Sequence, residues 1–165
     1  MYREQVLTDM RKVFQKVPYG IEHTLQVLQD AETIMEGEHI PRKKRELIVL
    51  AAILHDIGAV EAQRKYGSME ACYQEAEGPA VAREILLRAG YHSEGIDRIC
   101  YIVGNHHTPS KIDDVDFRIV WEADLLAGLP YMEIRKDPSR LRGFIETNFI
   151  TATGKALAYR RYITP

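Results

Sequence analysis

Apolar residues recur along this chain at intervals of three and four rather than alternating, so nearly every segment reads as amphipathic helix and none as strand. A first helix is expected from about Tyr2 to Lys16, closed by Pro18-Tyr19-Gly20, and a second from about Ile21 to Glu38. Pro41 is placed to open a third, which ends near Gly58. A loop from Gly58 to Ser68 then leads to a fourth helix, with a break or restart at Gly78-Pro79 and an end at Gly90. Ser93 is placed to cap a fifth, which runs through Ile102 to His107 and stops before Pro109. A sixth covers about Phe117 to Leu129, and two short helices follow Pro138 and Gly154. The pattern predicts an all-α helical bundle.

Five strongly polar residues interrupt the apolar stripes of these helices. His55 follows Ile48 and Ala52 on one face of the third helix, and Asp56 follows Val49, Ala52 and Ile53 on the adjoining one. His23 leads the stripe Val27, Ala31, Ile34; His106 continues Ile99, Ile102, Val103; Asp124 continues Phe117 and Val120. A buried carboxylate without a partner is costly, so Asp56 and Asp124 each need a histidine or a cation nearby. Two aspartates and two or three histidines converging from separate helices make a metal site. Mixed nitrogen and oxygen ligation suits one divalent ion such as Mn, Fe, Co, Ni or Zn, with Mg at reduced affinity. His39 and His92, at a helix start and in a Gly-flanked connection, receive no role.

Composition narrows the function classes. At 165 residues, 45% of them apolar and 28% charged, the chain is long enough for one domain with its own core, and no repeat or low-complexity linker divides it. The balance of 22 basic and 24 acidic residues gives a net charge of -2, which argues against a nucleic-acid or membrane-surface partner. The longest basic run, Arg42-Lys43-Lys44-Arg45, fits a solvated first helical turn. No stretch approaches the ~20 apolar residues of a membrane span, and the acids in MYREQVLTDM are unlike a signal peptide, so a cytoplasmic protein is expected. Cys72 and Cys100 have no metal or redox spacing and are expected to be reduced core residues. The Tyr159-Arg160-Arg161-Tyr162 segment is expected to be a packed terminal helix without a binding role.

The ordered set His23, then His55-Asp56 inside AAILHDIG, then Asp124 inside WEADLL resembles the H…HD…D signature of the HD-domain metal-dependent phosphohydrolases. EGPAVAREIL resembles that family's Gly-containing helix start, and IVGNHHTP its later histidine-bearing helix end. The resemblance implies one HD-type domain over residues 1–165, with a metal-binding core at about 20–129 and C-terminal helices 130–165 packed on it. It implies a divalent ion on His23, His55, Asp56 and Asp124 and the hydrolysis of a nucleotide or another small phosphate ester. Two-metal members carry a further histidine just before the glycine; here YQEAEGP has none, which implies one firm metal rather than two. The alternative is a non-catalytic metal- or nucleotide-binding sensor with the same pocket.

On the enzyme reading, Asp56 orients or deprotonates the attacking water, while His106, ahead of His107, hydrogen-bonds the phosphate or protonates the leaving oxygen. Glu77 shares a stripe with Tyr73, Val81 and Ile85, so it is either a weak ligand or base at the pocket or a carboxylate near a helix start. Arg64 and Lys65, in the loop after the His-Asp pair, either hold phosphate oxygens or solvate the surface; Lys111 is a weaker candidate of the same kind. Glu61 is a further possible base.

Overall fold

The structure is a computed structural model that describes residues 2–163. Among the described residues the chain is all-α, with no strand: α1 (Tyr2–Val13), α2 (Pro18–Gly37), α3 (Arg42–Leu54), α4 (Ala59–Tyr66), α5 (Ala71–Arg88), α6 (Ser93–Val103), α7 (Val115–Gly128), α8 (Pro138–Asn148) and α9 (Ala152–Tyr162). Short 3-10 turns occupy Pro109–Lys111, Leu129–Tyr131 and Glu133–Lys136. No described helix is long and apolar enough to cross a membrane.

Helix α3 is the central element. Every residue from Leu50 to Leu54 is buried, because the helix packs against α1, α2, α6 and α7 at once. Its first turn carries the basic run at the solvated end, where Lys44 pairs with Asp114 and Arg45 Nε donates to the Ile40 carbonyl. Local chemistry sets several helix starts. Pro18 and Pro138 begin α2 and α8, where a missing N–H costs nothing, and the Asp114, Asp137 and Thr151 side chains accept from the first-turn amides of α7, α8 and α9. His39 turns the chain after α2 with φ of 53°, a left-handed position unusual for a residue with a side chain. The expected Ser93 cap concerns a side chain outside those described.

Several expectations differ from the structure. Helices α3 and α6 end at Leu54 and Val103, short of the expected Gly58 and His107, so His55, Asp56 and His106 lie on turns just past the helix ends. The span after the His-Asp pair is not a loop: AVEAQRKY forms α4, closed by Gly67 in the left-handed conformation at φ of 67°. Helix α5 is continuous across Gly78-Pro79 rather than broken there. Packing on both sides of that point holds it, since a β-carbon on Gly78 would strike the Val103 side chain and one on Gly104 would strike the Pro79 ring. This close fit offsets the hydrogen bond that the proline removes. Cys100 is buried as expected, but Cys72 is exposed on the first turn of α5, so it is not a core residue.

The C-terminal helices close the bundle: α9 lies against α2, α7 and α8. Its Arg161 makes two hydrogen bonds, of 2.5 and 2.9 Å, to the Asp30 carboxylate, which is fully buried in α2.

Candidate metal centre

His55 and Asp56 lie on the turn that joins α3 to α4, immediately after the last helical residue, Leu54. The end of a helix leaves carbonyls without intrahelical partners, and His55 uses one: its Nδ1 donates to the Ala52 carbonyl at 2.8 Å. His106 repeats the arrangement on the turn after α6, where its Nδ1 donates to the Val103 carbonyl, also at 2.8 Å. Both bonds fix the rings and direct Nε2 into the same space, leaving that nitrogen free to bind a metal or a second proton.

Four donor atoms meet there. His23 Nε2 lies 3.0 Å from Asp124 Oδ1 and 3.5 Å from Asp56 Oδ2. His55 Nε2 is 3.3 Å from His23 Nε2, 3.4 Å from Asp56 Oδ2 and 3.7 Å from Asp124 Oδ1. Ligand atoms ~2.1 Å from one divalent ion sit roughly 3.0–3.4 Å from one another at tetrahedral or cis-octahedral angles; the 3.0, 3.3 and 3.4 Å separations fall in that range and the 3.5 and 3.7 Å ones lie just beyond it. A second set adjoins it: the other Asp56 oxygen, Oδ1, is 3.1 Å from His106 Nε2 and 4.0 Å from His107 Nε2. The His23, Asp56 and Asp124 side chains keep between 20% and 24% of their surface, so the centre is open to solvent on one side.

The electrostatics fit a place for a cation. Burial pushes His55 downward, but the Asp56 charge and hydrogen bond, with Asp124 behind them, overcome it and raise the group to about 9. Burial pushes both aspartates upward; facing His55 and His106 hold Asp56 well below the usual carboxylate range, and the His23 hydrogen bond with His55 lowers Asp124. Two ionised carboxylates therefore share this partly open space with imidazoles, and without a metal a proton on His55 offsets one of the two charges. His107 behaves oppositely: burial and the neighbouring His106 lower it, and its buried Nε2 has no hydrogen-bond partner.

The HD-domain family model matches residues 20–138, which contain all of these donors. The chain belongs to the HD-domain family. Its fold is similar to the crystal structure of a predicted HD superfamily hydrolase from an uncultured Thermotogales bacterium, with a TM-score of 0.71 and 24% identity over 96% of this chain and 84% of that one. No curated protein matches the chain.

Other candidate residues of this HD domain are engaged elsewhere. Glu77 accepts from Lys65 Nζ at 2.6 Å and from the Tyr66 hydroxyl at 2.8 Å, which keeps its carboxyl ionised. Arg64 forms a bidentate pair with Glu61 across one turn of α4 and holds that acid at about 2, far too low for a base at neutral pH. Lys111 is exposed, and it is its backbone carbonyl that engages the fold, accepting from Tyr101. Arg64 and Lys65 are thus neutralised within the α4–α5 layer. Glu75, in the segment without the extra histidine, turns to the end of α6 and accepts from the His107 amide and the Thr108 hydroxyl.

The sequence reading missed the wall beside the centre. A cavity of about 900 Å³ opens onto His23 and Asp56 and is completed by α2, the end of α7 and α9, including Arg161 and Tyr162. One signal was available: Asp30 sits three residues after Val27 and four before Ile34, on the stripe that singled out His23, and so called for a cationic partner.

Proposed function

We propose that this HD domain is a metal-dependent phosphohydrolase of small phosphate esters, holding one divalent ion on His23, His55, Asp56 and Asp124. The observation that carries the reading is the spacing of the His23, His55 and Asp56 donor atoms, all within 4.8 Å of one another, with Asp124 Oδ1 3.0 Å from His23 Nε2 and 3.7 Å from His55 Nε2, and with His55 presenting Nε2 because its Nδ1 is tied to a backbone carbonyl. The mixed nitrogen and carboxylate set suits Mn, Fe, Co, Ni or Zn, and leaves positions open on an ion that takes six ligands. When bound, such an ion supplies Lewis acidity toward a phosphoryl oxygen and acidifies water.

The remaining chemistry belongs to the side chains. Asp56 is ionised and faces two ways, Oδ2 toward His23 and His55 and Oδ1 toward His106, so one carboxylate both holds the ion and orients the attacking water. His107 is kept neutral at physiological pH and has a free Nε2, which suits it to a hydrogen bond with a phosphate oxygen or to weak ligation rather than to proton donation. The set of Asp56, His106 and His107 has three donors within 4.8 Å of one another, and Glu75 is spent on the end of α6; a second ion there is held more weakly than the first.

The test is phosphate release from nucleotides and simple phosphomonoesters by chelator-treated protein resupplied with Mn, Co, Ni or Mg, with metal content measured in parallel. Release that requires the ion is expected. Protein that binds metal and nucleotide but releases no phosphate from any substrate would be a sensor instead.

A further inference from the structure

His106 and His107 follow each other on the turn after α6, yet they are held differently. His106 is fixed by its own ring, whose Nδ1 donates to the Val103 carbonyl at 2.8 Å and whose Nε2 lies 3.1 Å from Asp56 Oδ1. The His107 Nε2 has no such anchor: it is buried without a hydrogen-bond partner, and at 4.0 Å the same Asp56 oxygen is beyond hydrogen-bonding distance. The ring lies against that of His106, with 3.9 Å between centroids. Where this imidazole points therefore depends on how its backbone is held.

That backbone is held from α5. Within the turn the Gly104, Asn105 and Thr108 amides donate to the carbonyls of Cys100, Ile102 and Asn105. The His107 amide instead donates to Glu75 Oε1 at 2.9 Å, and the Thr108 hydroxyl donates to the same carboxylate at 3.0 and 3.2 Å. Glu75 can reach across because the next turn of α5 is pressed onto the end of α6. Cys100 Sγ donates to the Pro79 carbonyl at 3.4 Å, and the Pro79 ring leaves no room for a β-carbon on Gly104. A carboxylate suits this task because it only accepts, so one side chain takes an amide and a hydroxyl together.

We propose that Glu75 is a positioning residue: by holding the His107 amide and the Thr108 hydroxyl it sets the turn after α6, so that His107 Nε2 stays beside Asp56 and can hydrogen-bond a phosphate oxygen of the substrate. The role of His107 rests on the phosphohydrolase reading; the hold on it rests on the contacts of Glu75.

A double-variant cycle on the Mn-loaded protein, with p-nitrophenyl phosphate as substrate, tests the coupling. Glu75→Ala should lower kcat/KM by about tenfold to a hundredfold, the upper figure being the cost of a ~1 Å misplacement near a reacting centre. Mn affinity should stay near the wild-type value, because the carboxylate engages His107 and Thr108 rather than the four donor residues. In a His107→Ala background the same substitution should change kcat/KM no further, since Glu75 acts through that residue. Glu75→Gln, whose amide oxygen can take over both contacts of Oε1, should restore most of the rate. Thr108→Val removes only the hydroxyl's share of the hold and should give a smaller loss in the same direction, which serves where the alanine variant folds poorly. On metal-free protein, NMR of the nitrogen-labelled imidazoles reads the position directly: the His107 ring signals should shift or broaden in Glu75→Ala while those of His55 stay in place. Wild-type protein that releases no phosphate from this or any other ester would remove the phosphohydrolase reading and the role of His107 with it, while the ring signals would still report the hold. Additive losses in the double variant, no rescue by glutamine, or unmoved His107 signals would overturn the positioning role and leave the phosphohydrolase reading intact. A fall in Mn affinity as large as the fall in rate would also overturn it, since Glu75 would then support the metal centre as a whole.

Discussion

At the scale of single residues, the centre depends on how His55 is charged. Without metal its folded value is about 9 against an ordinary 6.5, so at neutral pH the ring carries the proton that a metal ion must displace. Metal affinity should therefore rise with pH by up to ~tenfold per unit as His55 deprotonates, and flatten above about pH 9. Calorimetric titration of Mn in buffers of different ionisation heat reads the released proton directly; an affinity independent of pH between 6 and 9 would contradict it. Asp56→Ala should be the most damaging single change, since both donor sets use that carboxylate. Its metal affinity should fall by more than the ~10–100-fold typical of losing an outer-shell partner, with the helical circular dichroism retained. Full metal occupancy in that variant would remove the site assignment.

At the scale of elements, what positions the centre is the fit of α4 and α5 around a glycine. A β-carbon at Gly58 would overlap the Gln74 carbonyl oxygen and the Gly78 amide, both backbone atoms that cannot swing aside. Gly58→Ala must therefore push α5 away from the turn that carries His55 and Asp56. The expected loss is ~1–3 kcal/mol of stability, the range for overpacked cores, together with weaker metal binding, measured by urea denaturation and metal titration. Wild-type values for both would show that the α4–α5 contact does not set the centre. This contact also explains the element-level differences. Read alone, two glycines around AVEAQRKY look like the edges of a loop, and Gly78-Pro79 looks like a break. Gly58 is there for close approach and Gly67 for a left-handed helix end, as Gly78 is for its contact with Val103, and the helices continue because packing outweighs local preference.

At the scale of the whole molecule, the ends of the chain are tied by a charge pair. Asp30 and Arg161 are 131 residues apart, and removing the arginine leaves a fully buried carboxylate without its counter-charge. Arg161→Met should cost roughly 3 kcal/mol, the lower end for a broken buried pair because part of the arginine side chain reaches solvent. Adding Asp30→Leu should recover most of the loss in urea denaturation; a double variant no more stable than the single one would mean that the pair is not what holds α9. Because Arg161 and Tyr162 also line the cavity, the same tie shapes the wall against which a substrate would lie.

The period of the apolar positions determined the all-α class and set apart His23, His55, Asp56, His106 and Asp124, because on a helix a misplaced polar residue is visible from its neighbours three and four positions away. The order of those residues was enough to mark the resemblance to HD domains. Only the tertiary structure decided which atoms face each other: that Asp56 divides its two oxygens between two histidine sets, that Glu77 goes to Lys65 and Tyr66, and that Glu75 accepts from the His107 amide and the Thr108 hydroxyl. It also brought Tyr19, Tyr131 and Arg161 to one cavity. The physical reason is that helical periodicity reports a face, whereas a partner depends on how helices far apart in the chain pack, and that is written in the sum of many contacts rather than in any local spacing.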